Sequence, residues 1–218
     1  MNTPTPVVPT QLPSCSVIIP TRNQFKLLKT CVEGVRSSNY SNTLEIIIVD
    51  NDSTDKKTLS YLSSLAADPR IKVIRWQEPF NFSRINNMAA REATGEVLCF
   101  LNNDIEVLSP DWLEKMALAA SDPEVGVVGA LLFYPDGKIQ HAGVALDQDS
   151  VALHIGHHMD KACLDKFQLR RLYEVDGVTA ACMVTKAKLF RELNGFNEED
   201  LKISFNDVDY FLRPKEFG

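Results

Sequence analysis

The chain has 218 residues and a net charge of −6, from 23 basic against 29 acidic side chains. Hydrophobic residues make up 44% and charged residues 24%, a composition that excludes a disordered, collagen-like or long coiled-coil chain. The acidic balance lacks the electrostatic footprint of a general nucleic-acid binder, while leaving room for one locally positive phosphate pocket.

Residues 1–13 are rich in Pro and Thr, carry no basic n-region ahead of an apolar core, and read as a flexible leader. Residues 14–218 read as one domain. Ser16 to Pro20, Leu44 to Val49, Ile71 to Ile74 and Val97 to Leu101 are short apolar runs rich in β-branched residues. Such runs suit strands buried on both faces of a parallel sheet. Between them lie helical stripes. Leu27, Leu28, Cys31, Val32 and Val35 share one helix face, and Leu59, Leu62, Leu65 and Ala66 another, with Ser53 or Thr54 as the cap. Ile85, Met88, Ala89 and Ala93 form a third stripe that Gly95 would close. Ser109-Pro110 opens a fourth helix, through Ala120. This β-α alternation predicts an α/β fold with a mostly parallel central sheet flanked by helices, Rossmann-like in its N-terminal half.

The second half is less regular. Val125 to Phe133 predicts a strand, residues 134–137 a turn, and Ile139 to Leu146 a returning strand. Gln148 to Asp165 is a polar, His-rich loop, and Val175 to Val184 a further strand. Lys186 to Asn194 is a helix closed by Gly195. Five cysteines without a C-x-x-C pair predict buried free thiols in a reducing cytosol. The longest apolar run, Val125 to Tyr134, is about half the ~20 residues of a membrane-spanning helix.

Ligands of open α/β sheets sit at the carboxyl ends of the strands. Three such ends are polar: Pro20-Thr21-Arg22-Asn23, Asp50-Asn51-Asp52-Ser53 and Asn102-Asn103-Asp104. No phosphate-gripping glycine loop is present, and neither H-E-x-x-H nor G-x-S-x-G occurs. A phosphorylated ligand would then need a hard divalent cation held by carboxylate and amide oxygens, with Asp104 as its best ligand. His154, His157, His158 and Asp160 have near-helical spacing, but Gly156 interrupts it, so the stretch reads as an acceptor-side loop. His141 satisfies a local hydrogen bond or lines the acceptor cleft.

The order Val17 to Asn23, Ile47 to Ser53, Asn86-Asn87, Gly95-Glu96 and Asn102-Asn103-Asp104 resembles glycosyltransferase family 2, with its GT-A fold. Ile139 to Gly143, Val178 to Cys182, Gly195 to Glu198 and Phe205 to Tyr210 continue the resemblance. The later motifs are most similar to bacterial polysaccharide and O-antigen enzymes, including rhamnosyltransferase-like members. The resemblance implies inverting transfer of a sugar from a nucleotide-diphosphate donor to a saccharide or lipid-linked saccharide acceptor. Residues 14–105 would bind the nucleotide and residues 106–218 the acceptor. Pro20, Thr21, Arg22, Asn23 and Asp50 would hold the nucleoside, flanked by Asp52. Arg84, Asn86 and Asn87 would face the donor. Asn102, Asn103 and Asp104 match the diphosphate site, with Asp104 on Mn²⁺ or Mg²⁺, although Asn102 stands where the family has an Asp. Asp207 matches the catalytic base, with Asn206 in place of the usual Glu. Nucleic acid is not an implied partner. The implied location is cytoplasmic, with room for contact at the inner membrane face. Members continue past the Asp209 to Arg213 region, so a C-terminally truncated domain is expected, and Pro214 is expected to stop the last helix. Two alternatives stay open: a catalytically impaired nucleotide-sugar-binding module, and a sugar nucleotidyltransferase.

Overall fold

The computed structural model describes residues 11–146, 152–166 and 171–216. Most of the leader, and part of the His-rich loop, lie outside the described residues. Four β-α units come first: β1 (Cys15–Thr21) with α1 (Phe25–Arg36), β2 (Leu44–Asn51) with α2 (Lys56–Leu65), β3 (Ile71–Trp76) with α3 (Phe82–Glu92), and β4 (Val97–Leu101) with α4 (Trp112–Ala120). Then follow β5 (Val127–Gly129), β6 (Leu132–Phe133), β7 (Ile139–His141), β8 (Val144–Leu146), β9 (Ala152–His154) and α5 (Cys163–Lys166). The last elements are β10 (Cys182–Lys186), α6 (Ala187–Glu192) and α7 (Asn206–Glu216).

The central sheet has the order β3-β2-β1-β4-β10-β5. Strands β1 to β4 are parallel, and β10 runs antiparallel to both β4 and β5. Alternation along each strand divides the core into two layers. Val17, Ile19, Ile46, Ile48 and Cys99 pack with residues of α1, α2 and α4. Ile18, Ile47, Val49, Leu98 and Phe100 face the opposite way, onto residues of α3, α6 and α7. Each fully buried Ile or Leu contributes about 1.5–3 kcal/mol to holding these layers together. Hairpins β6–β7 and β8–β9 form separate two-stranded sheets.

Several local expectations are corrected. Helix α2 is capped by Asp55, which accepts from the Thr58 amide, rather than by Ser53 or Thr54. Strand β3 lies at the sheet edge, so Lys72 and Val73 are exposed instead of buried on both faces. Gly95 does not end α3 in a left-handed turn; a Cβ there would lie 2.5 Å from the Ser16 amide nitrogen, so the residue is small to let the chain pass the start of β1. The expected strand from Val125 to Phe133 is split in two, as is its return from Ile139 to Leu146. Within Val175 to Val184 the strand is confined to the end, preceded by a single antiparallel bridge from Gly177 to Val144. Gly195 closes the helical segment as expected, at φ +68 with its amide on the Phe190 carbonyl at 2.8 Å. Pro214 does not stop α7, which runs on to Glu216.

Candidate active site

The carboxyl ends of β1, β2 and β4 open on a cleft of about 500 Å³. Pro20, Thr21 and Arg22 come from β1 and the turn after it, Asn51 from β2, and Asn102, Asn103 and Asp104 from the turn after β4. The opposite wall is Thr179 to Ala181, and the segment from Ile203 to Asp207 closes the end, with Phe80 and Phe82 alongside.

Local bonds set these side chains. Asn103 Nδ2 donates to Thr21 Oγ1 at 2.8 Å, tying the β4 turn to the end of β1. The Asn102 amide donates to the Ala181 carbonyl at 2.9 Å, and the Cys31 thiol to the Asn102 carbonyl at 3.4 Å. Burial, then the neighbouring Cys182 and Asp104, push that thiol up to about 12, so it stays protonated as a donor. Asp104 itself is exposed, and no hydrogen bond or ion pair holds its carboxylate among the described residues.

Asp207 reaches the cleft because α7 is docked from below. Phe211 packs on Gly177, where a Cβ would sit 2.2 Å from the ring. Tyr210 is fully buried, with its hydroxyl 3.1 Å from Thr185 Oγ1. Arg213 Nη2 donates to the Gly195 carbonyl at 2.7 Å. The Asp207 carboxylate accepts from the Ala180 amide at 3.1 Å and from the Val208 amide at 2.9 Å. Asp207 therefore shares the cleft with Asp104.

Other expected residues are placed elsewhere. Asn23, at φ 57, lies beside the cleft lining; its Oδ1 accepts from the Thr54 and Asp55 amides, both at 2.8 Å. Asp50 is buried, with one oxygen on the Ser53 amide and the other paired with Arg75, which also binds Asp52. The β2 side chain among the cleft-lining residues is Asn51, whose Oδ1 is buried without a partner. Asn86 and Asn87 do not line the cleft. Asn86 Nδ2 bonds back to the Phe82 carbonyl at 2.8 Å inside α3. Asn87 staples α3 to the segment after α6, accepting from the Phe196 amide at 2.8 Å and donating to Glu198 at 2.9 Å. Arg84 sits by Glu198, 3.6 Å away, over a separate depression. Asn51, Thr179 and Phe205 are among the cleft residues that sequence reasoning did not single out for a role. Asn51 was visible as the one amide within the polar end of β2, whereas nothing local distinguishes the other two.

Arg22 is the one basic side chain among the described residues lining the cleft, against the carboxylates of Asp104 and Asp207. A diphosphate would add further negative charge to that balance. An exposed, unpaired carboxylate beside two amide side chains suits a hard divalent cation that shares its shell with phosphate oxygens and water. No group of three or more His, Cys, Asp or Glu among the described residues could hold a metal by itself.

The family model for glycosyl transferase family 2 matches residues 16–193. The chain belongs to glycosyltransferase family 2. Its relatives include the uncharacterized protein y4gI of Sinorhizobium fredii, 40% identical across 94% of this chain and 23% of that protein. The O-antigen biosynthesis protein RfbC of Myxococcus xanthus is 35% identical across 94% of this chain and 16% of its own length. The family 2 chain thus spans less than a quarter of either relative. A mannosyltransferase of Pyrobaculum calidifontis, solved with GDP-Man and Mn²⁺, matches with a TM-score of 0.67 at 21% identity, over 92% of this chain and 52% of that one. The family 2 chain therefore has the GT-A fold. No helix among its described residues is long and apolar enough to cross a membrane.

Proposed function

We propose that the chain is an inverting glycosyltransferase domain, moving a sugar from a nucleotide-diphosphate donor to an acceptor hydroxyl in polysaccharide or O-antigen assembly. The observation that carries this reading is the placing of Asp104 and Asp207 in one cleft at the strand ends. Family membership and the similarity to an O-antigen biosynthesis protein support the class of product.

In this reading Thr21, Arg22 and Asn51 bind the nucleotide. Asp104, with Asn102 and Asn103, would hold Mn²⁺ or Mg²⁺, as the Mn²⁺ bound in the mannosyltransferase suggests. When bound, the cation neutralises charge on the departing diphosphate. Asp207 accepts the proton of the acceptor hydroxyl as that oxygen forms a bond to the anomeric carbon, and the bond from that carbon to the diphosphate oxygen breaks. Attack opposite the leaving group inverts the anomeric configuration. The amides of Ala180 and Val208 keep the Asp207 carboxylate oriented. Phe80, Ile203 and Phe205 give that end of the cleft exposed apolar surface for the acceptor.

A thermal-shift screen with UDP-, GDP- and dTDP-sugars and Mn²⁺ identifies the donor, and proton NMR of the product reads its anomeric configuration. No shift with any nucleotide sugar, or a retained configuration, overturns the reading.

A further inference from the structure

All four histidines of the chain, His141, His154, His157 and His158, gather in one cluster, and His141 joins it to Thr179 of the cleft wall. His141 on β7 is 1% exposed. Its Nδ1 lies 2.9 Å from Nδ1 of His154, and its Nε2 accepts from the Thr179 amide at 3.3 Å. A backbone amide can only donate, so Nε2 of His141 must carry a lone pair. The neutral ring then has its proton on Nδ1, which donates to His154 Nδ1, and His154 keeps its own proton on Nε2. The string of bonds fixes both tautomers. An added proton would leave one of the two bonds without an acceptor. Burial, and less strongly His154, push His141 down to about 4, in keeping with a ring held neutral.

The next amide along the chain, that of Ala180, donates to Asp207 at 3.1 Å. Consecutive amides therefore join His141 on one side to Asp207 on the other. Thr179 Oγ1 accepts from the Ala181 amide at 3.3 Å, which holds the segment as one turn. Both Thr179 and Ala180 line the cleft.

We propose that His141 is a positioning residue: its neutral imidazole holds the Thr179 amide and so aims the Ala180 amide that orients the Asp207 carboxylate. The inference rests on the reading of Asp207 as the base and adds the residue that acts through it. His141 stays out of contact with substrate and takes no proton in the reaction.

The test is NMR on the full chain, comparing the parent with His141→Gln and His141→Leu. In the parent, the imidazole ¹⁵N spectrum at neutral pH shows His141 as the Nδ1–H tautomer. In His141→Leu the Ala180 amide exchanges at least about tenfold faster, while core amides of β1 and β4 keep their relative protection. His141→Gln, whose Oε1 can accept from Thr179, restores slow exchange. With a nucleotide sugar that is turned over, kcat falls in His141→Leu at unchanged donor KM and recovers in His141→Gln. An Nε2–H tautomer in the parent overturns the proposal even if the Leu variant fails to fold. So does unchanged Ala180 exchange, or unchanged kcat, in a folded Leu variant. An Asp207→Asn variant that still transfers sugar overturns the reading of Asp207 instead, and leaves the amide bridge standing.

Discussion

Arg75 lies opposite Asp50 in the parallel register of β2 and β3, and its guanidinium pairs with the Asp50 carboxylate. Asp50 is 2% exposed, so its charge depends on this cation and on the Ser53 amide at 3.0 Å. Arg75 → Ala leaves a buried carboxylate with one bond. It should cost about 1–3 kcal/mol, read as a lower urea midpoint. An unchanged midpoint would show that water reaches Asp50 freely.

With both Asp50 oxygens engaged, the free acceptor at the end of β2 is Asn51 Oδ1, buried in the cleft lining without a partner. The atom is closed to solvent, so a nucleobase N–H would satisfy it once the side chain turns into the cleft. Asn51→Ala should weaken nucleoside diphosphate binding in EDTA by about 0.5–1.5 kcal/mol. Titration calorimetry showing equal affinity would remove Asn51 from the base contact.

The parallel half of the fold was legible because its strands are continuous apolar runs: Val97–Leu101 is sheet to the residue. Residues 125–146 were not, because their breaks are set by tertiary contacts. Gly129, for example, admits Val178, which would lie 2.5 Å from a Cβ there. The polar strand ends pointed to the cleft, but composition could not separate a ligand contact from a staple. Asn87 and Asn103 look alike in sequence, yet one bonds Phe196 and the other Thr21 at the cleft. Nor could periodicity bring Asp207 to Asp104. That depends on Phe211 seating against Gly177, and only the family resemblance raised it.

Asp104 carries the metal prediction. Its carboxylate is exposed and unpaired among the described residues, in a cleft with a single basic side chain. Nucleoside diphosphate should bind more tightly with Mn²⁺ or Mg²⁺ than in EDTA, and Asp104→Ala should erase the gain. The same affinity with and without cation, measured by calorimetry, would refute it.

His141 makes stability depend on pH. Its folded value, about 4, is below the ordinary 6.5. Between those values the unfolded chain binds the proton and the folded chain does not. The contribution is thus complete above about pH 6.5 and is lost as pH falls towards 4, amounting to about 3 kcal/mol. Parent and His141→Gln should therefore differ in slope across this window when unfolded in urea at successive pH values. Parallel curves would mean that His141 takes up its proton without cost.

The last prediction concerns Asp207. A base must come within about 2.6–3.2 Å of the acceptor hydroxyl, directly or through one water. Asp207 lines the cleft with Asp104 and stands next to the exposed Phe205, which is held at φ 61. The left-handed backbone at Phe205 turns the chain into α7, which starts at Asn206, just before the carboxylate, at the cost of strain in a bulky residue. Asp207→Asn keeps the shape and removes the proton acceptor. Its single side-chain oxygen can accept only one of the two amides, of Ala180 and Val208, so urea unfolding should show a cost of about 1–3 kcal/mol in a chain that still folds. Transfer should fall by at least about a hundredfold, within the usual range for a lost general base. Donor affinity should stay close to the parent, because the base acts on the acceptor and the diphosphate is held at the Asp104 end. Steady-state transfer together with nucleotide calorimetry separates the two effects. Parent-like transfer by the variant would move the base elsewhere, and a matching loss of donor affinity would make Asp207 a donor contact instead.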